Sequence, residues 1–171
     1  MSKFLLKDYL ILAKKAGLRF AFDYFINAHF FDLLRGTDTH KMIEKSQEKD
    51  TQWSSQSNSG VDYMVSWTRV IKDSLKYLFD FLGNEFQTYQ FIDIGCGKGK
   101  PSLVYLEFIQ DKNINNTFNP IGIDYSKINI EIAKKNSTII SKNNNLRSSK
   151  VPRYIHSEAK NLYKYISTKK L

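Results

Sequence analysis

Phe91-Ile92-Asp93-Ile94-Gly95-Cys96-Gly97-Lys98-Gly99 is the stretch on which the fold of this chain turns. A compact apolar run, Phe91, Ile92 and Ile94, leads straight into alternating glycines, which predicts a buried parallel strand over Gln90 to Ile94 followed by a sharp turn. Pro101 suits the first turn of a helix over Ser102 to Gln110, because the amide that proline lacks would be unpaired there anyway. Pro120 to Asp124 reads as a second strand, Ser126 as the cap of a helix ending near Ser141, and Arg153 to His156 as a third strand. Strand, helix, strand, helix, strand implies right-handed crossovers and an α/β fold on a parallel sheet.

Upstream of this unit the periodicity is helical. Phe4, Leu5, Tyr9, Leu12, Ala13 and Ala16 recur at helix spacing before a stop at Gly17. Leu18 to Leu34 is dominated by aromatics (Phe20, Phe22, Tyr24, Phe25, Phe30, Phe31), read as helix-packing core residues. Gly36-Thr37-Asp38-Thr39 predicts a turn whose side-chain oxygens cap a short helix near His40 to Glu48. Residues 49 to 60 are polar and serine-rich, a linker with a lid over a substrate site as the alternative. Ser66 then caps a helix whose Trp67, Val70, Ile71, Leu75, Leu78 and Leu82 form one stripe ending at Gly83. The domain plan is thus a helical segment over 1–48, a linker over 49–60 and an α/β domain over 61–171.

The 171 residues, 42% of them apolar, suffice for one core. The longest apolar stretches are broken by Lys3, Lys7, Asp8, Lys14 and Lys15, so neither a membrane span nor a signal peptide is predicted. Cys96 is the single cysteine, which excludes an internal disulfide and a thiolate zinc site and fits a cytoplasmic location. The net charge of +9 is confined to one end: the stretch from Lys134 onward holds ten of the 26 basic residues and, in Glu158, one of the 17 acids. A solvated lysine- and asparagine-rich surface is the first reading, and a nucleic-acid phosphate track or an acidic partner the second. His29, His40 and His156 lie far apart without ligand spacing, so no metal site is predicted.

The chemistry concentrates where the strands end. Glycines leave no side chains between main-chain amides and a ligand, and Asp124 ends the second strand where a carboxylate can accept from both hydroxyls of a ribose. Dinucleotide loops carry G-x-G-x-x-G and rest a pyrophosphate on the helix N-terminus; here the glycines stand at 95, 97 and 99 and position 100 is lysine. Asp93, just before the first glycine, opposes a diphosphate and suits a cationic ligand. Cys96 between glycines reads as a small filler rather than a nucleophile.

These residues resemble the class I, Rossmann-like methyltransferases that use S-adenosyl-L-methionine, whose first motif is two hydrophobics, an acid, a hydrophobic and G-x-G-x-G. Phe91 to Gly99 match each element. The resemblance implies that Asp93, Gly95, Cys96, Gly97 and Gly99 hold the methionine part of the cofactor and that Asp124, with Tyr125 beside it, holds the ribose. Glu158, in His156-Ser157-Glu158-Ala159, falls where the family places an acid near the adenine. Upstream, Phe31-Asp32, Gly36 to Thr39, and Gly60 to Ser66 are similar to the lead-in of a bacterial branch of the family, with Val65 and Ser66 in place of proline and threonine and with Tyr63 and Ser66 as possible contacts. The implied reaction is in-line attack of an acceptor oxygen, nitrogen or carbon on the sulfonium methyl. The implied sheet has seven strands with the first one central, and the fourth supplies residues that meet the acceptor. Only three strands are predicted here, so no catalytic residue and no methyl acceptor is assigned. The expectation is a truncated product, or one half of an enzyme whose sheet a partner chain or dimer completes. The rival readings are a non-catalytic subunit and a nicotinamide-dependent oxidoreductase.

Overall fold

The structure, a computed structural model, describes residues 6–40, 66–143 and 151–166. Three strands, β1 (Ile92–Ile94), β2 (Ile121–Asp124) and β3 (Arg153–His156), pair in parallel in the order β1-β2-β3. Asp93 stands beside Gly122, and Gly122 beside Tyr154; Ile94, Ile123 and Ile155 form the next row. Because alternate residues of a strand face opposite sides, Asp93, Gly122 and Tyr154 share one face and the isoleucines the other.

Six α-helices are described: α1 (Leu6–Ala16), α2 (Leu18–Tyr24), α3 (Phe30–Arg35), α4 (Thr68–Leu82), α5 (Lys100–Asp111) and α6 (Lys127–Asn143). The crossovers α5 and α6 cover the Tyr154 face. Phe91 stacks on Tyr105 of α5 at 4.4 Å between ring centroids, and Ile130 and Ala133 of α6 pack with Cys96 and Tyr154. The core continues outward through Leu103, Val104, Leu106 and Ile109 of α5 to Leu75 of α4 and Phe31 of α3. On the opposite face Ile121, Ile123 and Ile155 are covered by Leu162 and Tyr165, in and just after a 3-10 turn over Ala159–Lys164.

The predicted strands and crossover helices form within a residue or two, and the Ser126 cap is present, accepting from the Asn129 amide at 3.2 Å. Several expectations are corrected. The strand at 90–94 is shorter and only partly buried: Ile94 is 58% exposed, and among the described residues β1 pairs with β2 alone. The helix expected over Leu18 to Leu34 forms, ending at Arg35 before Gly36 with φ 70°, but a π turn over Phe25–His29 interrupts its α-helical course. Phe31 is buried there, whereas Phe20, Phe22 and Phe30 are exposed, so the aromatics of this segment are not uniformly core. Ser66 does not cap α4; Trp67 precedes the helix in extended conformation, and no side chain caps it. Val70 and Leu78 leave the predicted stripe for solvent, because α4 packs chiefly on α5 through Leu75 and its neighbours. The hydroxyls of Thr37 and Thr39 donate to Asp32. The helix expected after His40, the linker at 49–60 and Tyr63 lie outside the described residues.

Lys134, Lys135, Lys142, Arg153, Lys160 and Lys164 are all exposed, as a solvated basic surface requires. Among the described residues no helix is long and apolar enough to cross a membrane.

Candidate functional site

The glycine turn begins where β1 ends. Gly95, Gly97 and Gly99 have φ of 73°, 50° and 83°, a left-handed region that side chains disfavour, so alternate positions of this loop call for glycine. The amides of Gly95 and Cys96 both donate to the Ile123 carbonyl, at 2.8 and 3.0 Å, which binds the loop to β2. The Gly97 amide donates to Asp124 Oδ2 at 2.8 Å, and the Ser126 amide to Asp124 Oδ1 at 2.8 Å. Asp124 therefore carries the turn that follows its own strand and clasps the glycine loop of the neighbouring one.

Asp93 lies below the same loop. Its Oδ2 is buried and has no hydrogen-bond partner among the described residues. Burial, and then the charge of Asp124, pushes its carboxyl up to about 7, while the nearby Ser102 hydroxyl acts in the opposite direction without reaching good bonding geometry. Two carboxyl groups thus face one another's field at the carboxyl ends of adjacent strands. Cys96 points away, into the small core of Ile130, Ala133 and Tyr154, and burial followed by the charges of Asp93 and Asp124 raises its thiol far above the ordinary range. A thiol held protonated in this way is no nucleophile.

Tyr154 is the floor of the site. Its ring crosses Gly122, where an added Cβ would stand 2.6 Å from Tyr154 Cδ1 and 3.0 Å from Cys96 Sγ. Its hydroxyl reaches the Gly99 carbonyl at 3.4 Å. Glycine at 122 is what lets a large side chain of β3 pass beneath the loop.

Of the residues predicted from sequence, Asp93, Gly95, Cys96, Gly97, Gly99 and Asp124 are brought together. Tyr125 is adjacent and half-buried, and its carbonyl meets His156 Nε2 at 2.9 Å, tying the end of β2 to β3. Glu158 lies beyond β3, and its carboxylate is 2.6 Å from Lys160 Nζ.

The structure adds residues that sequence reading passed over. Lys98 and Lys100, on either side of Gly99, are fully buried and turn towards the helical segment. Lys98 Nζ meets Asp38 Oδ1 at 3.3 Å; Lys100 Nζ donates to the carbonyls of Asn27 and Ala28, in the π turn, at 2.7 and 3.3 Å. Burial brings the Lys100 ammonium down to about 8. Asn136 of α6, almost fully buried, joins the Asp38 and Lys98 main chains. Its signal was legible: with Asn129, Ala133 and Ile140 it sits on the inward stripe of α6, and a polar residue on such a stripe needs a buried partner. Asp32 accepts from the Thr37 and Thr39 hydroxyls, the Thr39 amide and the His40 ring, the last at 2.5 Å. Burial alone would raise its carboxyl, but these bonds outweigh it and hold the group below the usual range.

His29 and His40, remote in sequence, bring their rings to 4.1 Å between centroids. Burial, then His40, takes the His29 imidazole down to about 4. Among the described residues no group of three or more histidine, cysteine or carboxylate side chains is arranged to hold a metal ion.

No protein family, no curated protein and no solved structure matches the chain.

Proposed function

We propose that this chain binds S-adenosyl-L-methionine on the Gly95 to Gly99 loop and is the cofactor-binding part of a methyltransferase. The observation that carries this reading is Asp93: a buried carboxylate oxygen without a partner among the described residues, beside a second carboxylate, under a loop whose alternate residues are glycine. Such a pair favours a cationic guest, and the neighbouring lysines do not serve as one, since Lys98 and Lys100 are turned to Asp38 and to the π turn. The ammonium and sulfonium of S-adenosylmethionine supply positive charge of the required kind. Asp124 is placed for the ribose, at the C-terminal end of β2 and against the glycine loop through the Gly97 amide.

The nicotinamide reading is disfavoured by the same bonds. A pyrophosphate needs free amides at the turn, but those of Gly95, Cys96 and Gly97 are spent on Ile123 and Asp124. Its negative charge would also meet Asp93 and Asp124.

When bound, the cofactor supplies an electrophilic methyl group on sulfur. The chain's own contribution is placement: Asp93 faces the cationic end, Asp124 orients the sugar, and Tyr154 and Cys96 seal the floor so that water does not reach the carboxylates from below. Calorimetric titration of the full chain with S-adenosylmethionine and, separately, with NAD tests the reading. Saturable heat with the first and none with the second is expected; binding of NAD alone, or of neither, would sink it.

A further inference from the structure

We propose that Asn136 and Lys98 are positioning residues that lock the cofactor loop to the turn at Gly36 to Thr39, so that the helical segment sets how tightly the loop holds its ligand. The proposal rests on the cofactor reading above for the identity of that ligand. The first half of the loop is held from β2, through the Ile123 carbonyl and Asp124. The second half has a different support. Asn136 Nδ2 donates to the Lys98 carbonyl at 3.2 Å and to the Asp38 carbonyl at 3.1 Å, while its Oδ1 accepts the Asp38 amide at 2.9 Å. One side-chain amide thereby joins three main-chain groups from two segments sixty residues apart.

The Asp38 side of this joint is itself fixed. Asp32, buried at the start of α3, gathers Thr37, Thr39 and His40 around its carboxylate, and this shapes the turn that presents Asp38. Lys98 adds an ion pair to the Asp38 carboxylate at 3.3 Å. Lys100, one residue past the loop, is anchored to the π turn, so the start of α5 is held to the same segment. A loop of three glycines has little rigidity of its own, since glycine gives up more conformational freedom on ordering than any other residue. Ordering it in advance, by contacts outside the ligand site, is the means by which such a loop gains affinity.

Amide hydrogen exchange and S-adenosylhomocysteine titration of the full chain, as wild type, Asn136→Leu and Lys98→Met, test the proposal. Asn136→Leu keeps the branching of the side chain, at somewhat larger volume, and removes all three bonds. Loss of buried hydrogen bonds of this kind is expected to speed exchange at Lys98 and Gly99 and to weaken binding roughly tenfold or more. Lys98→Met, which leaves the Asn136 bonds in place, is expected to shift both in the same direction by less. Unchanged exchange across residues 95–99, or faster exchange with unchanged affinity, overturns the positioning role. If Asn136→Leu exchanges faster everywhere it has lost its fold, and Lys98→Met then decides by the same two readouts. If the wild type binds no S-adenosylhomocysteine, the cofactor reading falls, while the exchange data still decide whether the loop is held in this way.

Discussion

Asp93 is the residue in which sequence, folding and function conflict. A carboxyl in the middle of a short strand is a poor choice for stability, because burial and the neighbouring Asp124 both penalise its charge. The folded chain therefore keeps a proton on Asp93 where the unfolded chain, titrating near the ordinary carboxylate value, has released it. Stability from this group is fully present below about pH 4 and is lost as the pH rises through about 7. Asp93→Asn is neutral throughout and is expected to flatten that decline, by an amount on the order of a few kcal/mol across the window. Urea denaturation at several pH values checks this, and equal slopes in wild type and variant would contradict it. Asp93 was legible as an acid in the wrong place for a diphosphate; that its Oδ2 lies buried without a partner was not, because this depends on Tyr154, Ser102 and Asp124 closing around it.

At the scale of the element, β2 and β3 meet through an exchange of sizes: Gly122 has no side chain so that Tyr154 can lie across it. Gly122→Ala would put a methyl 2.6 Å from the Tyr154 ring and 3.0 Å from Cys96 Sγ, and neither neighbour has room to yield without disturbing the loop above. A destabilisation of about 1–3 kcal/mol is expected from such overpacking. It should appear as a lower urea midpoint with an unchanged m-value, and an unaltered midpoint would refute the packing described. β1 and β2 were readable because their isoleucine runs stop at glycine or aspartate, and α6 because Ser126 announces its start. The π turn at Phe25–His29 was not readable: its sequence is an ordinary aromatic helix, and its carbonyls have meaning only once Lys100, some seventy residues on, arrives beneath them. In the same way, spacing set His29 and His40 apart, and only the fold brings them together.

For the whole molecule, the α/β unit from β1 to β3 and the helical segment before it form one structure joined at the glycine loop, through Asn136, Lys98 and Lys100. The local half of the candidate site, Phe91 to Gly99 with Asp124, could be read directly because strand, turn and acid follow one another along the chain. Of the supporting half only the inward stripe position of Asn136 could be read, since Asp38 reaches the loop only across the fold. Chemical-shift mapping of the isotope-labelled full chain during titration with S-adenosylmethionine tests whether the proposed cofactor site lies on this loop. Saturable shifts concentrated at Asp93, Gly95, Gly97, Gly99 and the Asp124–Ser126 amides are expected, with little change on α1 and α4. Shifts centred elsewhere, or none at saturating ligand in a folded chain, would contradict it.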